Sequence, residues 1–397
     1  VVGETKHDII IVGAGSAGIT VAAQLKKADK NLDIAIIDPA EVHYYQPLFT
    51  LVGAGVSTLS ETRRSQESLI PSGVTWYKKS VMSFSPNENR LTCDDKSSFA
   101  YNFLVVCPGI QIDWAKIIGL REALGKNGVC SNYSAETVEK TWETIQSFKS
   151  GRAIFTFPDT LIKCAGAPQK IMYLAEHYFR KQGVRDNAEV MFISAGKSIF
   201  GVKKYADALS RIIEKRGIKT LFGYNLESID GPGQSATFRN VETQEEKKLD
   251  FKMIHVTPPM SAPGFIRASA LANEAGWVDV DQYKLVHKKY ENIFALGDAS
   301  SLPTSKTGAA IRMQAPVVVG QLLAKRNGKP SDLSYNGYTS CPLVTGYGKL
   351  ILAEFDYSGQ PTETFPFDQS KERLSMYLLK KYGLPMLYWQ GMLKGRA

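Results

Sequence analysis

Cysteine is scarce in this chain of 397 residues: five in all, at positions 93, 107, 130, 164 and 341. They are too few and too scattered for a secreted disulfide framework. No CxxC pair or Cys/His cluster has metal-ligand spacing, so no metal is expected. No run of about 18 apolar residues occurs, so no segment is expected to span a bilayer. The opening residues, VVGETKHD, show no signal or transit pattern. A dominant charge is also missing. The net charge of +9 is a modest bias toward anionic surfaces, and no nucleic-acid partner is expected. What remains is an ordinary globular composition, 44% hydrophobic, long enough for two or three domains with ample core.

The stretch that is present and most telling runs from Asp8 to Asp38, DIIIVGAGSAGITVAAQLKKADKNLDIAIID. Ile9 to Val12 reads as a strand, Gly13-Ala-Gly15-Ser16-Ala17-Gly18 as a glycine turn, and the next residues as a helix. Ile34 to Ile37 is a second strand ending on Asp38. This is a dinucleotide-binding βαβ unit. Gly13 permits the tight turn, Gly15 lets backbone approach a pyrophosphate, and Gly18 lets helix and strand pack closely. The helix N-terminus offers N–H groups and partial positive charge at Ser16 and Ala17. Asp38 can accept hydrogen bonds from a ribose.

Further along, His43 to Gly55 (HYYQPLFTLVGAG), with Gln46, reads as a loop that begins to cover a cofactor. Val74 to Phe84, including Val81, alternates like a strand, and 85–102 reads as a hairpin. Tyr101 to Gly109 is a buried strand ending in Pro-Gly. A helix is expected over Ser134 to Ser150.

A second βαβ unit starts at Gly151, with strands at 153–157 and 189–194 and helices at 168–181 and 202–216. Its first turn, PDTLIKCAGAP, is not GxGxxG. Its second strand ends Ser194-Ala-Gly196 rather than in an acid or arginine. The fold of a nicotinamide domain is expected there without its ligand chemistry. Cys164 occupies the place where a phosphate would sit. A helix start at Pro168 and a neighbouring Lys163 favour its thiolate; a buried structural cysteine is the alternative.

Ile293 to Ser301 (IFALGDASS) is a strand ending in Gly297-Asp298, the second signature of two-domain flavoproteins. Together the two signatures point to FAD. Pro303 to Gln314 then opens a helix, whose start with Lys306 could stabilise charge on a flavin ring. From Ser334 the character changes. Leu374, Leu378 and Tyr382 fall at i, i+4 and i+8, and residues 371–397 carry six basic residues against one acid. That composition describes an interfacial amphipathic anchor, with a self-packed helix pair as the alternative.

The fingerprint, HYYQPLFTLVGAG, FTFPDTLIKCAGAPQKIMYL, VTPPM, SLPTSKT, YTSCPLVTGY and FDQSKERLSMYL together resemble the sulfide:quinone oxidoreductase family, mitochondrial type. The resemblance covers nearly the whole chain. It implies an α/β fold of two tandem Rossmann-like domains, glutathione-reductase-like, with a C-terminal membrane-docking segment. The expected parts are a FAD domain at 1–115 returning at 289–335, a second NAD-like domain at 116–288, and a quinone and membrane-interface region at 336–397. The resemblance implies Cys164 and Cys341 as a redox pair near FAD, sulfide as donor and ubiquinone as acceptor. Glutathione, sulfite or sulfide would take the sulfur. The location implied is the matrix face of the mitochondrial inner membrane, and a homodimer is left open. Expected cofactor contacts are Gly13, Gly15, Ser16, Ala17, Gly18, Asp38, Gln46, Val81, Gly109, Gly297, Asp298 and Lys306. One departure is Cys130, where bacterial relatives carry a third cysteine and the mitochondrial type has a small residue; an accessory role and a bystander are both open. Competing readings are a type II NADH:quinone oxidoreductase, which the missing second fingerprint disfavours, and the flavin subunit of a haem-coupled sulfide dehydrogenase. A non-enzymatic scaffold would need Cys164 and Cys341 far apart.

Overall fold

The computed structural model describes residues 5–397. Its first sheet is built on β1 (Thr5–Val12), which leads through the glycine turn into α1 (Ser16–Ala28) and back to β2 (Ile34–Ile37). β1 pairs in parallel with β2 on one side and with Ser98–Val106 on the other. Ile9, Ile10 and Ile11 are completely buried, as expected for a parallel strand covered on both faces, which reads as an unbroken apolar run. Val74–Tyr77 extends the sheet beyond β2, and the hairpin Val81–Ser85/Arg90–Cys93 extends the other edge. The chain then leaves, and returns only at Ile293–Ala295, which joins the far half of Ser98–Val106.

Between these visits lies a second parallel sheet, in the order Val129–Cys130, Met253–His255, Gly151–Phe157, Ala188–Ser194, Lys219–Phe222. The helix Ala167–Lys181 follows its central strand and packs against a hairpin, Thr339–Gly346/Lys349–Phe355. A side chain on Gly166, at the start of that helix, would come within 2.5 Å of Leu343 and 3.5 Å of the Cys341 Cβ. The bare backbone there lets residues 164–167 press against the hairpin.

Several elements differ from the sequence reading. The 43–55 loop holds a short strand, Val42–Tyr44, and the turns Gln46–Leu48 and Phe49–Val52. The expected helix over 134–150 forms only at Val138–Ser147. The helix expected from 303 begins at Gly308 and runs to Arg326, leaving Lys306 in the preceding loop. Thr339–Gly346 is itself a strand despite Pro342, tolerated because the pairing is only two strands wide.

The C-terminal stretch does not form a helix pair packed on its own core. It is one strap of consecutive helical turns from Leu374 to Lys394, with widened turns at Leu379–Gly383 and Leu387–Gly391 that carry it past Gly383 and Pro385. Met376, Tyr377, Lys380, Tyr388, Trp389 and Leu393 are buried on its inner face. Leu374, Leu378, Tyr382 and Met386 form an outer stripe, 44–67% exposed. Among the described residues no helix is long and apolar enough to cross a membrane.

Candidate active site

A cavity of about 560 Å³ runs from the glycine turn, past the ends of both sheets, to the inner face of the strap. That volume is within the usual range for cofactor sites. The glycine turn divides its labour. Gly13 has φ +103°, and a Cβ there would lie 2.5 Å from the Cys107 carbonyl oxygen; one on Gly18 would lie 1.8 Å from the Gly13 carbonyl oxygen. These two glycines are packing positions and do not line the cavity. Gly15 and Gly109 do line it, and a Cβ on either meets nothing within 4 Å. α1 has no side-chain cap, so its first N–H groups are available to an anionic ligand. The residues present therefore fit a dinucleotide.

Asp38 faces the cavity, with one carboxylate oxygen accepting from the Ala14 N–H and the other from the Ala40 N–H, each at 2.7 Å. It braces the turn as well as offering remaining lone pairs to a ribose. Gln46, Ser16, Ala17, Gly297, Asp298 and Lys306 also line the cavity. Val81 does not; it is buried in the hairpin, paired with Cys93. Lys306 is no solvated loop lysine. Its ammonium donates to the carbonyls of Asp298 at 2.7 Å and Ser300 at 3.1 Å and lies over the Trp277 ring. Burial brings it down to about 8. Burial likewise raises Asp298 above the usual carboxylate range, against the pull of Lys306 and Lys163.

Cys164 and Cys341, 177 residues apart, come together at the cavity wall, close enough for the Cys341 thiol to act on Cys164 as a hydrogen-bond donor that favours its thiolate. All five cysteines are free thiols here. Cys164 faces the cavity, whereas Cys341 is completely buried behind it. The hydrogen bond from Cys341 holds the Cys164 thiol well below its usual range, with help from the ammonium groups of Lys170 and Lys380. Lys170 Nζ lies 3.3 Å from the Cys164 sulfur. As the donor, and fully buried, Cys341 is pushed upward.

Cys164 also has φ +55°, unusual for a residue with a side chain. Its N–H donates to the Lys306 carbonyl at 2.8 Å, and its own carbonyl accepts from Ala167 N–H at the helix start. Lys163 beside it donates to Gln46 at 2.5 Å. Cys130 lies away from this group: completely buried, outside the cavity lining, its thiol directed at the Ile254 carbonyl and pushed up to about 12 by burial.

Sequence reasoning missed Lys170 and Lys380. Lys170 reads as one more helix-surface lysine and Lys380 as part of a basic strap, yet each is 3% exposed. Lys380 donates to the Pro47 carbonyl at 3.0 Å, and burial, then Lys170, bring it down to about 7.

Residues 7–150 match the pyridine nucleotide-disulphide oxidoreductase family. The chain is 49% identical over 391 residues to the mitochondrial sulfide:quinone oxidoreductase of Mus musculus, covering 98% of this chain and 87% of that one. The corresponding Dictyostelium discoideum protein is also 49% identical over 391 residues, with 98% and 86% covered. The solved sulfide:quinone oxidoreductase of Aquifex aeolicus superposes with a TM-score of 0.85 at 17% identity, covering 99% of this chain and 92% of that one. Full-length identity at this level, on a fold with an open dinucleotide turn, places the chain in the FAD-dependent sulfide:quinone oxidoreductase family.

Proposed function

We propose that this chain oxidises sulfide at Cys164 and Cys341 and passes two electrons to a quinone. The observation that carries the reading is the meeting of these two sulfurs at the cavity wall beside Lys170. In the oxidised protein the two sulfurs form a bridge. Hydrosulfide attacks the Cys341 sulfur, the S–S bond breaks, Cys341 becomes a persulfide and Cys164 leaves as a thiolate. Cys164 is the better leaving group because its thiolate is the stabilised one. An acceptor nucleophile such as glutathione, sulfite or a second sulfide then takes the outer sulfur and leaves Cys341 as a thiolate. A bound FAD would supply the acceptor for the two electrons released as the bridge re-forms and the route for them to the quinone. The glycine turn, α1 and Gly109 would hold that cofactor, with Asp298 and Lys306 at its far end.

The cavity's other end, lined by Pro342, Leu352, Phe365, Leu379 and Leu384, suits an apolar quinone ring. The exposed stripe on the strap, with Lys371, Lys394 and Arg396 exposed in the same C-terminal segment, supports docking on an anionic membrane surface. Because the similar Mus musculus protein is mitochondrial, ubiquinone and the matrix face of the inner membrane complete the proposal. Replacing Cys164 or Cys341 with Ser is expected to abolish sulfide-dependent flavin reduction in rapid mixing. Near-normal reduction by either variant would refute the pair.

A further inference from the structure

The strap reaches the glycine turn through one side chain. Tyr388, 3% exposed, places its hydroxyl 2.7 Å from Ser16 Oγ and 2.5 Å from His43 Nε2. His43, 4% exposed, approaches the Ala14 carbonyl with Nδ1 at 3.3 Å. A carbonyl only accepts, so Nδ1 carries the proton. Nε2 is then an acceptor, because burial keeps the ring neutral by lowering it below its usual range. Tyr388 must donate to His43 and accept from Ser16. The bonds run in one sense, Ser16 to Tyr388 to His43 to Ala14, and close on the turn Ala14-Gly15-Ser16. Gln66 adds a 2.6 Å bond to the same Ala14 carbonyl.

The rest of the strap is anchored around this point. The Tyr388 ring packs on Tyr45 with centroids 4.5 Å apart, and Trp389 lies under the Arg64 guanidinium. Further on, Lys27 of α1 donates to the Gly395 carbonyl at 3.3 Å. A Cβ on Gly395 would lie 2.9 Å from the α1 backbone at Ala23 and Gln24.

We infer that Tyr388 is a positioning residue for the cofactor turn: the strap closes a hydrogen-bonded ring onto Ala14-Gly15-Ser16, and FAD leaves when that ring opens. The inner face of the strap is thus a built part of the cofactor site. Its role does not depend on what its outer face touches.

The test is the rate at which the holoprotein releases FAD on dilution, followed by free-flavin fluorescence. Tyr388→Phe keeps the ring and removes only the hydroxyl, and release is expected to be about tenfold faster. Ser16→Ala is expected to accelerate release similarly, and the double variant no more than either single one, because each breaks the same ring. Unchanged release in Tyr388→Phe would overturn the inference. So would fully additive effects, which mark two independent structural losses. The inference rests on FAD at the glycine turn. Wild-type protein purified without flavin would remove that premise, whereas tightly held flavin indifferent to Tyr388→Phe would remove only the ring.

Discussion

Cys164 has a backbone conformation that costs a non-glycine residue about 1–2 kcal/mol. It is kept there by bonds to Lys306 and Ala167 on either side of the peptide. The reward is position: a sulfur that faces the cavity, touches Cys341 and lies beside Lys170. The cation favours thiolate, so removing it must raise the ionisation point. In Lys170→Met the pH midpoint for alkylation of Cys164 by iodoacetamide is expected to rise by about one unit or more. An unmoved midpoint would show that Lys170 has no part in stabilising the thiolate. Cys164 was legible in sequence because it replaces an expected fingerprint. Lys170 was not, because nothing in the spacing says that the first turns of its helix face inward. Ser16 and Tyr388 are 372 residues apart, and no local pattern joins a helix start to a C-terminal tyrosine.

At the scale of elements, the second sheet keeps the parallel order of a nucleotide domain while its strand ends carry other chemistry. Met253–His255 ends on His255, 1% exposed, whose Nε2 accepts from the Asn132 N–H at 3.0 Å. Burial takes this ring down to about 3. The unfolded chain binds the proton near 6.5 and the folded one near 3, so the unfolded state gains protons first as pH falls. Stability is therefore full above about 6.5 and lost below it, by up to about 1.4 kcal/mol per pH unit. Melting temperatures from pH 7 to pH 4 should fall more steeply in wild type than in His255→Gln; parallel curves would contradict the buried neutral ring. The βαβ units were readable because their apolar runs and glycines are local. The strand Thr339–Gly346 was not, because Pro342 and the terminal Gly346 mask its period.

At the scale of the whole molecule, the strap has two distinct faces, one packed inward and one exposed. Sequence showed that residues 371–397 are basic and amphipathic, but not that Lys380, Tyr388 and Trp389 turn inward while Leu378, Tyr382 and Met386 turn out. Widened turns move the stripe off a simple helical period, so only the fold assigns the faces. Replacing Leu378 and Met386 together with Glu should weaken sedimentation with anionic vesicles by tenfold or more, since each buried side chain contributes roughly 1.5–3 kcal/mol. Undiminished co-sedimentation would mean that another surface docks. On the proposed function, the second domain presents Cys164 and Cys341 to the flavin where a nicotinamide would otherwise sit. The most direct measurement is anaerobic mixing of the oxidised holoprotein with sulfide and, separately, with NADH while flavin absorbance is followed. Rapid bleaching by sulfide alone is the predicted result, and bleaching by NADH with no response to sulfide would contradict it.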